Sequence, residues 1–216
     1  VCVVDFAALY PSIMRSYNIS YETTRLHASC EDVRFWLRVP LRACERILEF
    51  TGPLARDVVA PSPLGWHRIG KECYKKSAQQ GILPTILTQL TMLRSQAKKK
   101  MRAAEGVDKE IYNKRQLGLK LISNSIYGVT GCATGFLPMT SLAASTTMRG
   151  RQLILWSRDF VQSRYGYACV YGDTDSLFVK IPLSLSESIA RAREIERALN
   201  NEYKGVIEIE YEKTFH

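Results

Sequence analysis

Two strand ends in this 216-residue chain carry carboxylates: Asp5 after an apolar run, and Asp173 with Asp175 in Gly172-Asp173-Thr174-Asp175-Ser176. Hard divalent cations prefer carboxylate and carbonyl oxygens. Carboxylates on neighbouring strands of a rigid sheet can hold two such ions ~3.5–4 Å apart, the clamp that phosphoryl transfer to a nucleotide uses. The competing reading is that an aspartate at a turn only satisfies backbone N–H groups, and for Asp5 taken alone that is the commoner case. Gly-Asp-Thr-Asp-Ser between two apolar strands is far less often accidental. Glu208, Glu210 and Glu212 share one face of the last strand. A solvated face is the ordinary explanation, with Glu210 or Glu212 the candidate for adding negative potential near the metals.

Basic side chains form a second set. Arg94 and Lys98 are four apart and stack on one helix face, with Arg102 continuing the stripe. Lys120, Asn124 and Tyr127 make a similar stripe, and Lys99 and Lys100 thicken the field. Preplaced cations on a stiff scaffold suit a triphosphate and the charge that develops on departing pyrophosphate. Arginine grips two phosphate oxygens, whereas lysine offers a compact charge or a proton. For Lys98 to Lys100 taken alone, a solvated basic face is the commoner case. Lys120 lies in Leu117-Gly118-Leu119-Lys120-Leu121-Ile122, an apolar stretch where an idle lysine is less comfortable. Tyr127, either core packing or a planar surface for a base pair, ends the same stripe.

Both sets need elements to position them. Val1 to Phe6 reads as a buried strand, broken by Leu9-Tyr10-Pro11-Ser12, with a helix from Ile13 to Tyr17. Residues 21–71 are punctuated by Pro40, Gly52, Pro53, Pro61 and Pro63, and Arg34 to Phe50 is the one helix expected there. From Pro84, the apolar residues Ile86, Leu90, Leu93, Ala97 and Met101 recur at helical spacing. A polar break at Glu105-Gly106-Val107-Asp108 precedes a second helix, Lys109 to Tyr127, with Leu119, Ile122 and Ile126 on one side and Gly128 ending it. So short a loop requires an antiparallel helical hairpin. A third helix, Thr140 to Arg164, leads to a β-hairpin of Val170-Tyr171 and Leu177 to Ile181 with the acidic residues at its tip. Ser186 caps a further helix whose Ile189, Ala192, Leu199 and Tyr203 face inward. A closing strand alternates Ile207, Ile209 and Tyr211 with the glutamates. The class is α+β: an antiparallel sheet backed by helices and interrupted by a projecting antiparallel two-helix hairpin.

Composition narrows the partners. The net charge of +9 suits a polyanion, nucleic acid being the commonest, with a merely basic surface an equal alternative. No apolar run approaches the roughly 20 residues of a membrane span, so no membrane partner is expected. The six cysteines are scattered without metal-ligand spacing, which points to free thiols. A chain that opens inside a core strand implies a larger parent.

Asp5-Phe6-Ala7-Ala8-Leu9-Tyr10-Pro11-Ser12-Ile13 resembles motif A of the family B DNA polymerases. Lys120-Leu121-Ile122-Ser123-Asn124-Ser125-Ile126-Tyr127-Gly128 resembles motif B, and Tyr171-Gly172-Asp173-Thr174-Asp175-Ser176 motif C. Gly81-Ile82-Leu83-Pro84, followed by Arg94 and Lys98, looks like the first fingers helix, and Glu210-Tyr211-Glu212-Lys213 like the acidic strand before the thumb. All occur in the family's order. The surroundings of motif A look most like the replicative polymerases of eukaryotes and large DNA viruses, and the long connector favours a herpesvirus-like source.

The resemblance implies a palm from residues 1–20 and 129–216, a connector at 21–71 and fingers at 72–128. It implies DNA-directed synthesis from dNTPs on primer-template DNA, with two Mg²⁺ ions for which Mn²⁺ can substitute. A processivity factor in the parent enzyme and a nuclear location (the host nucleus for a viral protein) follow from the same likeness. Asp5 and Asp175 would bridge the metals, the Phe6 carbonyl would complete one site, and Asp173 would support it. Ala8 and Leu9 would offer backbone N–H groups to the triphosphate, and Tyr10 would exclude a 2′-hydroxyl. Arg94, Lys98 and Lys120 would bind phosphates, Lys120 being also the candidate proton donor. Asn124 would seat the nucleotide, while Tyr127 and Gly128 would check the nascent pair. Ala8 departs from the family's usual serine, which matters only if that hydroxyl contributes. The rivals are a reverse transcriptase or RNA polymerase, against which Tyr10 and Tyr-Gly-Asp-Thr-Asp-Ser argue, and a catalytically incompetent polymerase fold that only binds DNA or proteins, against which the three aspartates argue.

Overall fold

The computed structural model describes residues 1–26, 66–69, 72–75, 80–203 and 207–215. The expected helix at Arg34 to Phe50 lies outside these residues. Strand β1 (Cys2–Phe6) is followed by helix α1 (Leu9–Ser16), and then by the short strands β2 (Thr24–Leu26), β3 (Trp66–Ile69) and β4 (Glu72–Lys75). Helices α2 (Ile82–Ala103), α3 (Gly106–Gly131) and α4 (Thr140–Tyr165) come next, and strands β5 (Ala168–Gly172) and β6 (Ser176–Lys180), helix α5 (Leu185–Tyr203) and strand β7 (Ile209–Thr214) complete the order. The main sheet runs β5-β6-β1-β7 with every pairing antiparallel. A small antiparallel sheet, β2-β4-β3, stands apart. The class is α+β.

β1 is central because almost all of it is apolar: Cys2, Val3, Val4 and Phe6 are buried, and only Asp5 keeps partial contact with solvent. Helix α5 packs on β1 and β7, and α4 on β5 and β6. The core between sheet and helices holds Phe6, Trp156 and Tyr203, whose rings lie 5.8 Å (Phe6–Tyr203) and 5.2 Å (Trp156–Tyr203) apart. The buried Tyr203 hydroxyl is satisfied by Ser157 Oγ at 2.6 Å and donates to the Leu153 carbonyl at 3.3 Å. Such pairing offsets the cost of burying a phenol.

The helical hairpin forms as its spacing predicts, with different details. The break shrinks to Ala104 and Glu105, because Gly106 starts α3 at φ +56°, a left-handed conformation cheap only for glycine. Gly128 does not end α3, which runs on to Gly131, and Thr130 is buried near its end. The expected apolar stripe is buried only in part: Ala97 is buried, and Leu90, Met101, Leu119 and Ile126 are half-buried. Leu87 and Ala97 are buried in α2, and Gln116, Ser123 and Thr130, seven apart, in α3. Ile86, Leu93 and Ile122 stay exposed. Both helices also pack on other elements, α2 on α1 and α3 on α1 and α4, and Leu87 joins the main core.

Two starts also differ from expectation. Helix α1 begins at Leu9 and takes Pro11 into its first turn, where a missing N–H costs nothing. Helix α5 is capped by Ser184 and not Ser186: the Glu187 carboxylate accepts from the Ser184 backbone N–H at 3.1 Å and from its hydroxyl. That is the Ser-x-x-Glu box, which begins two residues before the serine expected from the sequence.

Candidate active site

Asp5 points from the central strand. Its register partners are Ser176 on β6 and Glu210 on β7. The tip of the β5–β6 hairpin is tied to the end of β1, because the Phe6 N–H donates to the Asp175 carbonyl at 2.8 Å. Asp5 and Asp175 therefore stand at neighbouring strand ends. Burial pushes the Asp5 carboxyl up from 3.8 to about 6, with the negative charges of Asp175, Glu212 and Glu210 adding to the rise and Lys120 opposing it. Burial also raises Asp175, followed by repulsion from Asp173 and, more weakly, Glu212, again against Lys120. Carboxylates that repel one another at a half-buried site ask for a cation.

Asp173 behaves differently. It is exposed, and its Oδ1 accepts from the Thr174 N–H at 2.7 Å and hydroxyl at 3.3 Å, closing its own turn. This is the ordinary turn role of an aspartate, alongside the charge it exerts on Asp175. Glu212 gains access to the site through a bulge. Val4 pairs with Tyr211 and Val3 with Lys213, so Glu212 is the extra residue on β7. Bulges re-aim side chains in this way. Glu208 just before β7, and Glu210 and Glu212 on it, are exposed, and of these Glu210 and Glu212 act on Asp5.

The loop after β1 supplies the next groups. The Ala7 N–H donates to the Glu208 carbonyl at 2.9 Å, and Ala8 takes φ 51°, ψ 60° as the N-cap of α1 without a side-chain cap. An alanine in the left-handed region costs about 1–2 kcal/mol. First-turn N–H groups such as that of Leu9 have no intrahelical acceptor, and they favour anions. Tyr10, in that same turn, is half-buried, and its ring packs against that of Tyr127 with centroids 4.3 Å apart and planes at 35°. That contact joins α3 to α1.

Along the helical hairpin, Lys120 is exposed and its charge reaches both Asp5 and Asp175. Its apolar neighbours Leu121 and Ile122 are exposed too, so the lysine is not embedded in apolar packing. Asn124 and Gly128 are exposed on the same helix, and a Cβ at Gly128 would meet nothing within 4 Å. Arg94 and Lys98 are half-buried, and Arg94 Nε donates to Gln116 Oε1 at 3.4 Å. Gln116, which in turn donates to Asn113 at 3.1 Å, was not identifiable from spacing, since a glutamine on a charged helix carries no local sign of burial. Of the three cations, Lys120 is the one whose charge bears on Asp5 and Asp175.

Among the described residues, no three His, Cys, Asp or Glu side chains are grouped so as to hold a metal by themselves. The donor set is two carboxylates and nearby backbone oxygens. Magnesium is commonly held that way, by one or two carboxylates with substrate phosphates completing the shell. Cys2, Cys132 and Cys169 are free thiols, and no helix among the described residues is long and apolar enough to cross a membrane.

Residues 1–216 match the family model for DNA polymerase family B. The chain is 33% identical over 226 residues to the DNA polymerase delta catalytic subunit of Glycine max, covering 100% of this chain and 19% of that protein. It is 32% identical to the delta catalytic subunit of Arabidopsis thaliana, covering 100% and 18%. Against the DNA polymerase of Paramecium bursaria Chlorella virus NY2A the identity is 30%, covering 100% and 23%. The chain thus spans about a fifth of the length of these relatives. With the family model matching from the first residue to the last, the chain belongs to DNA polymerase family B.

Proposed function

We propose that this chain carries the nucleotidyl-transfer centre of a template-directed DNA polymerase. The observation that carries the reading is the juxtaposition of Asp5 and Asp175 at adjacent strand ends, within the field of Lys120. In the reaction, the primer 3′-oxygen bonds to the α-phosphorus of a dNTP, the bond from that phosphorus to the bridging oxygen breaks, and pyrophosphate departs. Asp5 and Asp175, with the Phe6 carbonyl, would hold two Mg²⁺ ions, with Mn²⁺ able to substitute. When bound, these ions supply Lewis-acid stabilisation of the charge on the reacting oxygens.

The chain's own groups do the positioning. The Ala8 and Leu9 backbone N–H groups, with Arg94, Lys98 and Lys120, bind the triphosphate, and Lys120 can deliver a proton to the departing pyrophosphate. Asn124 seats the nucleotide. Tyr10 lies under the sugar and excludes a 2′-hydroxyl, while Tyr127 and Gly128 inspect the nascent base pair. In domain terms, residues 1–20 and 129–216 are the palm, 72–128 the fingers and 21–71 a connector. The partners are primer-template DNA and dNTPs, with a processivity factor for the whole enzyme and a nuclear site of action.

Primer extension by the full-length polymerase containing this segment, beside its Asp175→Ala variant, tests the reading. Extension with dNTPs and not rNTPs, abolished by the substitution, is expected. Undiminished synthesis by the variant would refute the assignment of the centre.

A further inference from the structure

We propose that Gly150 on α4 is a positioning residue for the Tyr10 ring, and so helps to set how strictly the site discriminates between deoxyribose and ribose. The inference rests on the reading of Tyr10 as the sugar gate. Gly150 is buried in the interior of α4. A glycine there costs roughly 0.5–1 kcal/mol relative to alanine, and its φ is not positive, so backbone conformation does not call for it. Space does. A Cβ on Gly150 would stand 3.3 Å from Tyr10 Cε1, 3.3 Å from Leu9 Cδ2 and 3.6 Å from Ile13 Cδ1. The helical glycines Gly118 and Gly128 on α3 contrast with it, for a Cβ on either would meet nothing within 4 Å.

Among those three neighbours the ring has the most freedom to respond. Leu9 and Ile13 are buried in the core, Ile13 completely, whereas Tyr10 is half-buried and borders the open site. The ring is already in contact with Tyr127, at 4.3 Å between centroids. It is thus bounded by α4 at one edge carbon and by α3 at Tyr127. A methyl at position 150 asks the ring to give by a few tenths of an ångström. Repulsion rises so steeply as atoms approach that such a shift alters what the gate excludes.

The test is single-turnover incorporation of a dNTP and the matching rNTP by the full-length polymerase as wild type, Gly150→Ala, Tyr10→Ala and the double variant. Gly150→Ala is expected to change the dNTP-to-rNTP ratio of kcat/KM by about fivefold or more, the scale of coupling between contacting residues. In the Tyr10→Ala background the same substitution is expected to leave the ratio unchanged. An unaltered ratio in Gly150→Ala, or an equal change with and without the Tyr10 ring, would overturn the proposal. Should Gly150→Ala not be recovered folded, recovery of the double variant supports the contact with the ring, and failure to recover it counts against the proposal. Tyr10→Ala alone separates the two readings: if it leaves the ratio unchanged, the gate assignment itself falls, whatever Gly150 does.

Discussion

Replacing Asp5 with asparagine should abolish synthesis and yet make the metal-free protein more stable. Its carboxyl is raised from 3.8 to about 6, first by burial and then by Asp175, Glu212 and Glu210. Fully expressed, that rise corresponds to ~3 kcal/mol; solvent at this half-open site screens it to roughly 1–2 kcal/mol. The sign follows from proton linkage. Between the unfolded value and the folded one, the folded chain holds a proton that the unfolded chain releases, and this support is lost as pH rises through about 6. Above that, the charged Asp5 is a standing penalty that asparagine lacks. Calorimetry of the full-length polymerase in a chelator at about pH 8 should therefore place the Asp5→Asn transition higher by roughly 2–6 °C, scaled for a cooperative unit of about 200 residues. The advantage should nearly vanish at about pH 4, where the wild-type carboxyl is also neutral. Adding Mg²⁺ should narrow the gap by stabilising the wild type. An advantage independent of pH, or none at about pH 8, would refute the electrostatic argument.

Other substitutions probe separate links. Tyr10→Ala should raise ribonucleotide use relative to dNTP by at least about tenfold, or ~1.4 kcal/mol, in competition assays on the full-length enzyme. Gly81→Ala should destabilise by ~1–3 kcal/mol in denaturant unfolding, since its Cβ would fall 2.7 Å from Ser20 Cβ and 2.9 Å from both Glu22 Oε1 and Thr23 Cγ2. Ala8→Gly relieves the left-handed strain of about 1–2 kcal/mol but adds unfolded-state entropy of roughly 0.5–1 kcal/mol, so a small net gain in melting temperature is expected. Tyr203→Phe, which loses the bond to Ser157, should cost about 1 kcal/mol without altering dNTP KM.

The order of elements was legible because it rests on local rules. Period-two and period-3.6 patterns marked the hairpin strands and the long helices, and a short polar break at Glu105 to Asp108 required an antiparallel pair. The Gly-Asp-Thr-Asp turn announced its acidic tip, since turn chemistry needs only a few contiguous residues. Errors fell where local rules offer two answers, at Gly128, which α3 runs through, and at Ser184 against Ser186. What the sequence could not reveal depends on distances between remote segments. Asp5 has a raised pKa only because β1 is paired between β6 and β7, which desolvates it and brings Asp175, Glu210 and Glu212 close. That Glu210 and Glu212 both bear on Asp5 depends on the β1–β7 pairing and its bulge. Gln116 under Arg94 and Gly150 against Tyr10 lie on helices whose faces look ordinary in isolation. Patterning assigns each residue a face of its own element, while Coulomb and packing energies depend on which other element lies opposite, and tertiary folding alone decides that.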